Sequence, residues 1–200
     1  MRLVYKGIYK DADQLPEGIL PSHAVKFVEA DTPAVASLYA LLSGVLALVF
    51  VFPFVVVFYF GHGEVYFEFT SGLWIAFVLF FLSLIPHEFF HSLCFGKDAE
   101  VGLYALPLLL MMFVVSTQPI TKRRFIILMI LPNLVLGWIP LALWAVLPYN
   151  VAYSNILLVF SALSITAGGG DYCNIFNAVR QMPKGSMQQM SGFNSYWFLP

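Results

Sequence analysis

The sequence predicts an all-α membrane protein with about four transmembrane helices and a re-entrant or β-hairpin-like segment between spans two and three. Composition is the first reason: of 200 residues, 60% are hydrophobic and 10% charged, whereas soluble domains run nearer half apolar and a quarter charged. The second is length. A helix needs about 20 apolar residues to cross the hydrocarbon, and residues 34–60, 72–95, 125–147 and 151–168 form four such runs. The third is the placement of the ten Lys and Arg residues, all of which fall at one side of a membrane threaded by these four runs. The formal net charge of −1 suggests no nucleic-acid partner. Cys94 and Cys173 stand in no CxxC or repeated spacing, so a disulfide framework is not indicated.

Residues 1–33 mix charges and prolines with scattered apolar residues and lack the layout of a cleavable signal peptide, so they read as a cytoplasmic N-terminal segment. Asp31, Thr32 and Pro33 make a helix start, with proline in the first turn where its missing N–H is no loss. Arg2, Lys6, Lys10 and Lys26 precede the first span, and the loop 61–71 after it holds no base. Lys97, Lys122, Arg123 and Arg124 lie between spans two and three, nothing basic lies near 148–150, and Arg180 and Lys184 follow span four. Cytoplasmic loops are enriched in Lys and Arg. The expectation is therefore a multi-pass protein of the cell membrane, with a four-span domain at 34–179, both termini cytoplasmic, and a cytoplasmic tail at 180–200.

Residues 101–116 are apolar but too short to cross, contain Pro107, and begin and end near the basic side. Irregular backbone at membrane depth is tolerated where protein covers it or where it lines a wet cavity. A re-entrant hairpin against span two is one reading, and a piece lying on the membrane surface is the other.

Span two contains His87, Glu88, Phe89, Phe90 and His91, the HExxH pattern. Histidines at i and i+4 lie on one helix face and can present two imidazoles to one zinc ion. Glu88 lies about 100 degrees round the helix, placed to act on a water as general base. Three ionisable groups at membrane depth are costly unless they pair with each other or with an ion.

A catalytic zinc takes three protein ligands and keeps one open position. Asp98 and Glu100 follow the end of span two and read as a solvated pair with Lys97, and His62 falls on the opposite side. Asp171 follows an apolar run and three glycines, Gly168 to Gly170. At 1.5 Å per residue, His87 lies about 22 Å inward from Gly72 and Asp171 about 30 Å from Asn150, both in the cytoplasmic third of the membrane. Asp171 thus reads as the third ligand, or as the cap of a helix starting near Tyr172. Pro86 cannot donate to the Leu82 carbonyl and tends to kink the span. Cys94 is either a soft ligand or a packing residue, and Asn133 and Asn155 either bond between helices or bind substrate backbone.

HEFFH in a membrane helix with a distant Gly-Asp in a later one resembles the site-2 protease class of intramembrane zinc metallopeptidases. HEFFH, KRRFIILMILPNLVLG and GGGDYCN together are more similar to a small four-span family of zincin peptidases, over about residues 73–177. The resemblance implies Zn²⁺ held by His87, His91 and Asp171, with Glu88 as catalytic base. Site-2 proteases generally carry Asn and Pro ahead of an Asp-Gly pair, whereas here Tyr172 follows Asp171 and no proline matches. The metzincin extension is absent, since Cys94 and Lys97 stand at its glycine and third histidine.

The sequence therefore points to an intramembrane zinc metallopeptidase whose partners are the lipid bilayer and a membrane protein or peptide substrate, cleaved near the cytoplasmic side. A non-catalytic metal-binding adaptor or assembly protein shares the ligands but does not need Glu88.

Overall fold

The computed structural model describes residues 1–30, 32–63, 71–107 and 111–200. The chain divides into two units interleaved in sequence: 1–30, 84–131 and 174–200 form the first, and 31–83 with 132–173 the second.

The first unit holds two sheets. β1 (Arg2–Ile8) runs parallel to β3 (Glu100–Leu106), which pairs antiparallel with β4 (Met111–Val115). Residues 2 and 6 lie on one face of β1, and Arg2 and Lys6 both bind the Glu100 carboxylate across the strand pair. Gly7, at φ 97°, takes up a register shift in this pairing, a backbone conformation costly for a residue with a Cβ. The segment expected to be re-entrant or β-hairpin-like thus forms β3 and β4, with 108–110 between them outside the described residues.

The second sheet has the order β2 (Val25–Lys26), β7 (Asn194–Phe198), β6 (Met187–Ser191) and β5 (Ile120–Thr121). β6 and β7 turn over Gly192 at φ 57° and Phe193. The all-α expectation is therefore corrected: the described residues are mostly helical but include seven strands in two sheets. The reason is that these strands are short and pair across long sequence separations, Val25 with Trp197 and Arg2 with Glu100. β6, Met-Gln-Gln-Met-Ser, carries no apolar alternation, yet Gln188 and Gln189 are buried and Gln189 Nε2 donates to the Ile19 carbonyl.

α1 (Pro33–Ala47) and α2 (Phe52–His62) run through a 3-10 turn at Leu48–Val51 as one apolar stretch, Ala34–His62. Thr32 is the N-cap, its Oγ1 accepting from the Val35 N–H at 3.3 Å; Asp31, also considered for that start, lies outside the described residues. Gly63 at φ 78° ends α2. Of the base-free loop expected at 61–71, residues 64–70 lie outside the described residues.

α3 (Ser71–Leu93) stays helical through Pro86. α4 (Lys122–Asn133) continues through a π-helical stretch, Leu134–Trp138, into α5 (Ile139–Val146). Pro140 cannot supply the N–H that the Leu136 carbonyl would take in an α-helix, which accounts for a change in the ladder there. α6 (Val151–Ala167) starts on Asn150, whose side chain accepts from the Ala152 N–H, and α7 (Gly169–Gln181) follows at a 47° bend. Three helices, Ala34–His62, Gly72–Leu93 and Lys122–Val146, are long and apolar enough to cross a membrane, or four if the bent pair is one span.

The second unit closes on Phe58, Leu141, Trp144, Ala145 and Ile165, with Phe58 and Trp144 stacked at 4.4 Å. The first closes on Phe27, Ile120, Phe125, Leu128, Ala178 and Met182.

Candidate metal centre

The HExxH residues occupy the C-terminal part of α3, within the first unit. Their i, i+4 spacing places the His87 and His91 rings 4.9 Å apart at 78°. The ligand atoms of His87, Glu88 and His91 all lie within 4.8 Å of one another. Glu88 and His91 are buried and His87 is half-buried.

His91 is held through Nδ1. That atom lies 2.9 Å from the Leu128 carbonyl oxygen on α4, and a carbonyl only accepts, so Nδ1 carries the hydrogen of this bond. That carbonyl is available because the residue four positions on is Pro132, which has no N–H to give it. Metal-binding histidines characteristically donate their other ring N–H to a carbonyl or carboxylate, which sets ring orientation and basicity. The donor set thus fits a zinc ion: two imidazoles one turn apart, one of them oriented through Nδ1 by a carbonyl, and a carboxylate beside them. The proline four residues after a carbonyl is a signal visible in the sequence, but its partner on another helix is not.

The end of α3 is tied down. Cys94 and Phe95 pack against the core of Phe125, Leu128, Ala178 and Met182. The Gly96 N–H donates to Gln118 Oε1 at 2.7 Å, and a Cβ on Gly96 would meet that amide at 2.8 Å. Cys94 falls outside the cluster of His87, Glu88 and His91 and has the packing role.

The remaining histidines serve elsewhere. His62 hydrogen bonds to the Phe58 carbonyl and stacks on the Phe58 ring, and His23 contacts the Leu199 carbonyl through Nε2. Asp98 is exposed. Glu100 pairs with Arg2 and Lys6 rather than with Lys97, and those two cations hold its carboxyl below the usual carboxylate range.

Asp171 lies in the second unit, in the first turn of α7, where the helix dipole favours a carboxylate. It is buried, and its Oδ2 accepts from Asn133 Nδ2 at 2.6 Å. Asn133 therefore does bond between helices, and the group it holds is the carboxylate singled out as a ligand. The preceding glycines act by size. A Cβ on Gly168 would stand 1.6 Å from Asn133 Oδ1, and one on Gly169 would stand 1.7 Å from the Ala40 carbonyl oxygen. Gly168 itself sits at φ −70°, so its role is close approach and not left-handed backbone. Asn155, the other intraspan amide, is fully buried in the same unit.

Residues 80–187 match the model of the family described as "Putative zincin peptidase". No curated protein and no solved structure matches the chain.

Proposed function

This chain belongs to the family described as "Putative zincin peptidase", and on that premise we propose that it is an intramembrane zinc metallopeptidase of the site-2 protease type, cleaving a peptide bond within or beside the membrane near its cytoplasmic surface. The observation that carries the reading is the gathering of His87, Glu88 and His91 within 4.8 Å, with His91 Nδ1 committed to the Leu128 carbonyl. An ionisable trio at the end of an apolar helix is costly without an ion to compensate it.

His87 and His91 would hold zinc with Asp171 as third protein ligand, Asn133 keeping the Asp171 carboxylate oriented through its Nδ2–H. When bound, zinc supplies Lewis acidity, polarising a carbonyl and bringing the pKa of water toward neutrality. Glu88 takes the proton from the attacking water as its oxygen bonds to the carbonyl carbon. Glu88 then returns a proton to the amide nitrogen as the C–N bond breaks. The substrate must be extended for its carbonyl to be attacked, and β4 is an edge strand of its sheet among the described residues, with one side paired to β3, the arrangement to which an extended peptide adds as a strand.

Membrane placement has structural support. β2 and β7 pair, and the N-terminal amine donates to the Lys97 carbonyl, so both ends of the chain share one unit with the segment between α3 and α4. Both chain ends on one side need an even number of crossings, and this reading takes the bent pair α6–α7 as the fourth span. The concentration of Lys and Arg beside that unit's helices favours the cytoplasmic side for it.

The test is Glu88→Gln in the full chain. Zinc should stay bound at the wild-type stoichiometry while cleavage of a membrane substrate falls by about 10²–10⁴-fold. Undiminished cleavage removes Glu88 as base. Metal analysis of His87→Ala and Asp171→Ala beside wild type tests the ligands, and retained stoichiometric zinc in Asp171→Ala removes the third one.

A further inference from the structure

The first unit carries a concentration of positive charge that the metal centre does not use. Lys122, Arg123 and Arg124 open α4, Arg180 lies in the last turn of α7, and Lys184 follows in the turn leading to β6. Tertiary structure brings these two segments together. The Lys122 ammonium donates to the carbonyls of Val179 and Met182, the Lys122 N–H donates to the Ser186 carbonyl at 3.0 Å, and Thr121 pairs with Met187 in the sheet.

Lys122 is thereby occupied, while Arg123, Arg124, Arg180 and Lys184 are all exposed. Among the described residues, the two ion pairs both belong to Glu100 and none involves these four. The sequence has no Asp or Glu at 101–170 or 172–200, so neither segment carries a counterion of its own. Arg123 and Arg124 also sit at the positive end of the α4 dipole, whose first turn has no acidic residue. An anion at this place is favoured by the cations and by the helix end together.

The apolar surface next to them points to the source of that anion. Arg123, Ile127 and Ile130 lie at i, i+4 and i+7 on α4, and Phe176, Val179 and Arg180 at i, i+3 and i+4 on α7. All four of these apolar residues are exposed, Phe176 and Val179 at 61% each. On both helices the apolar residues come before the cations as one moves toward the end shared by the α4 N-terminus and the α7 C-terminus. A soluble phosphate needs only the cations. A lipid offers acyl chains to the apolar residues and a phosphate to the cations one turn beyond.

We propose that Arg123, Arg124, Arg180 and Lys184 form a rim that docks the headgroup phosphates of anionic phospholipids at the cytoplasmic face, with Ile127, Ile130, Phe176 and Val179 against the acyl chains. The rim does not depend on zinc or on proteolysis.

The experiment reconstitutes the full chain in phosphatidylcholine vesicles doped with spin-labelled phosphatidylglycerol or spin-labelled phosphatidylcholine. The motionally restricted fraction, read by electron paramagnetic resonance, gives the relative association of each lipid. Wild type should prefer phosphatidylglycerol about fivefold or more at low salt, with the preference shrinking toward unity as salt is raised. R123Q/R124Q/R180Q/K184Q should bind both lipids equally, and Lys10→Gln should keep the wild-type preference. Equal association in wild type, or an unchanged preference in a quadruple variant with wild-type circular dichroism, overturns the proposal. Should the quadruple variant not fold, R123Q/R124Q and R180Q/K184Q are each expected to lower the preference, and no change in either overturns it. Displacement of the labelled phosphatidylglycerol by inorganic phosphate, beyond the effect of sodium chloride at equal ionic strength, would make this a soluble-anion site and also overturn the lipid assignment.

Discussion

The two units of this chain differ most in what the second unit's helices and the first unit's sheets bury and expose. In the second, Ser154, Asn155, Ser161, Ser164, Asn133 and Asp171 are buried, while Phe60 is 81% and Trp74 75% exposed. In the first, Phe27, Val101, Tyr104 and Val115 are buried outside the apolar spans, and the Arg2, Lys6 and Glu100 group lies in solvent. The difference is one of solvent. Lipid tails are as apolar as Leu, so helices in a membrane are held by close packing and polar contacts rather than by exclusion from water. The sheets of the first unit are held by apolar burial and backbone pairing, as in a water-soluble domain.

Core truncation should produce the largest effect and separate the two regimes. Phe27→Ala removes a buried ring from the first unit, outside the apolar spans, and should cost about 3–5 kcal/mol. Trp144→Ala in the second unit should cost less despite the larger side chain, because lipid gives no water-transfer term. Urea or thermal unfolding of the full chain in micelles measures both, and a larger loss for Trp144→Ala breaks the contrast.

Small-residue packing should follow. A Cβ on Gly169 meets the Ala40 backbone carbonyl at 1.7 Å, which cannot move without shifting α1, so Gly169→Ala should cost about 2–3 kcal/mol. Gly7→Ala in the first unit meets open space and suffers only its φ of 97°, about 1 kcal/mol. Equal losses for the two substitutions would refute the idea that the second unit depends on close helix approach.

Ionisation in the first unit gives a smaller, pH-dependent effect. Burial pushes the Glu29 carboxyl up, against the lowering influence of the Ser195 N–H, which donates to Oε1 at 2.7 Å, and of nearby Lys26. The folded chain therefore holds this proton more tightly than the unfolded chain. Below the ordinary glutamate value, about 4.3, both states are protonated and Glu29 weakens nothing. As pH rises through the raised folded value, stability is lost. Stability of wild type measured from pH 4 to 7 should decline relative to Glu29→Gln, and an opposite slope would contradict the assignment. Glu100→Gln should have the least effect, since its partners are solvated and screened, and none should survive high salt.

Much of the helical framework was legible because its determinants are local. An apolar run of sufficient length announces a helix that must find a non-aqueous environment, and HEFFH needs only helical spacing to bring His87 and His91 together. The strands were not legible. β6 lacks apolar alternation, and β2 is two residues whose meaning depends on Trp197 and Tyr196 at the far end of the chain. At the metal centre, Pro132 and Leu128 are plain in the sequence, but that the freed carbonyl receives His91 is not. For Asn133 a bond between helices is favoured by the sequence over a substrate contact, but its partner, Asp171, came only from the packing of α4 against the start of α7.

By itself the sequence determined what the periodicity and chemistry of neighbouring residues can decide: the apolar helices, the placement of basic residues between them, and the pairing of two imidazoles and a carboxylate on one helix. Tertiary structure alone decided which distant groups complete those local features: the strands joining both chain ends, the carbonyl that orients His91, the amide that holds Asp171, and the meeting of two basic segments at one rim. The physical reason is range. Helical neighbours are fixed by a 1.5 Å rise and a 100-degree turn, whereas a strand partner or a hydrogen bond across helices exists only after the chain has closed long loops that no local preference specifies.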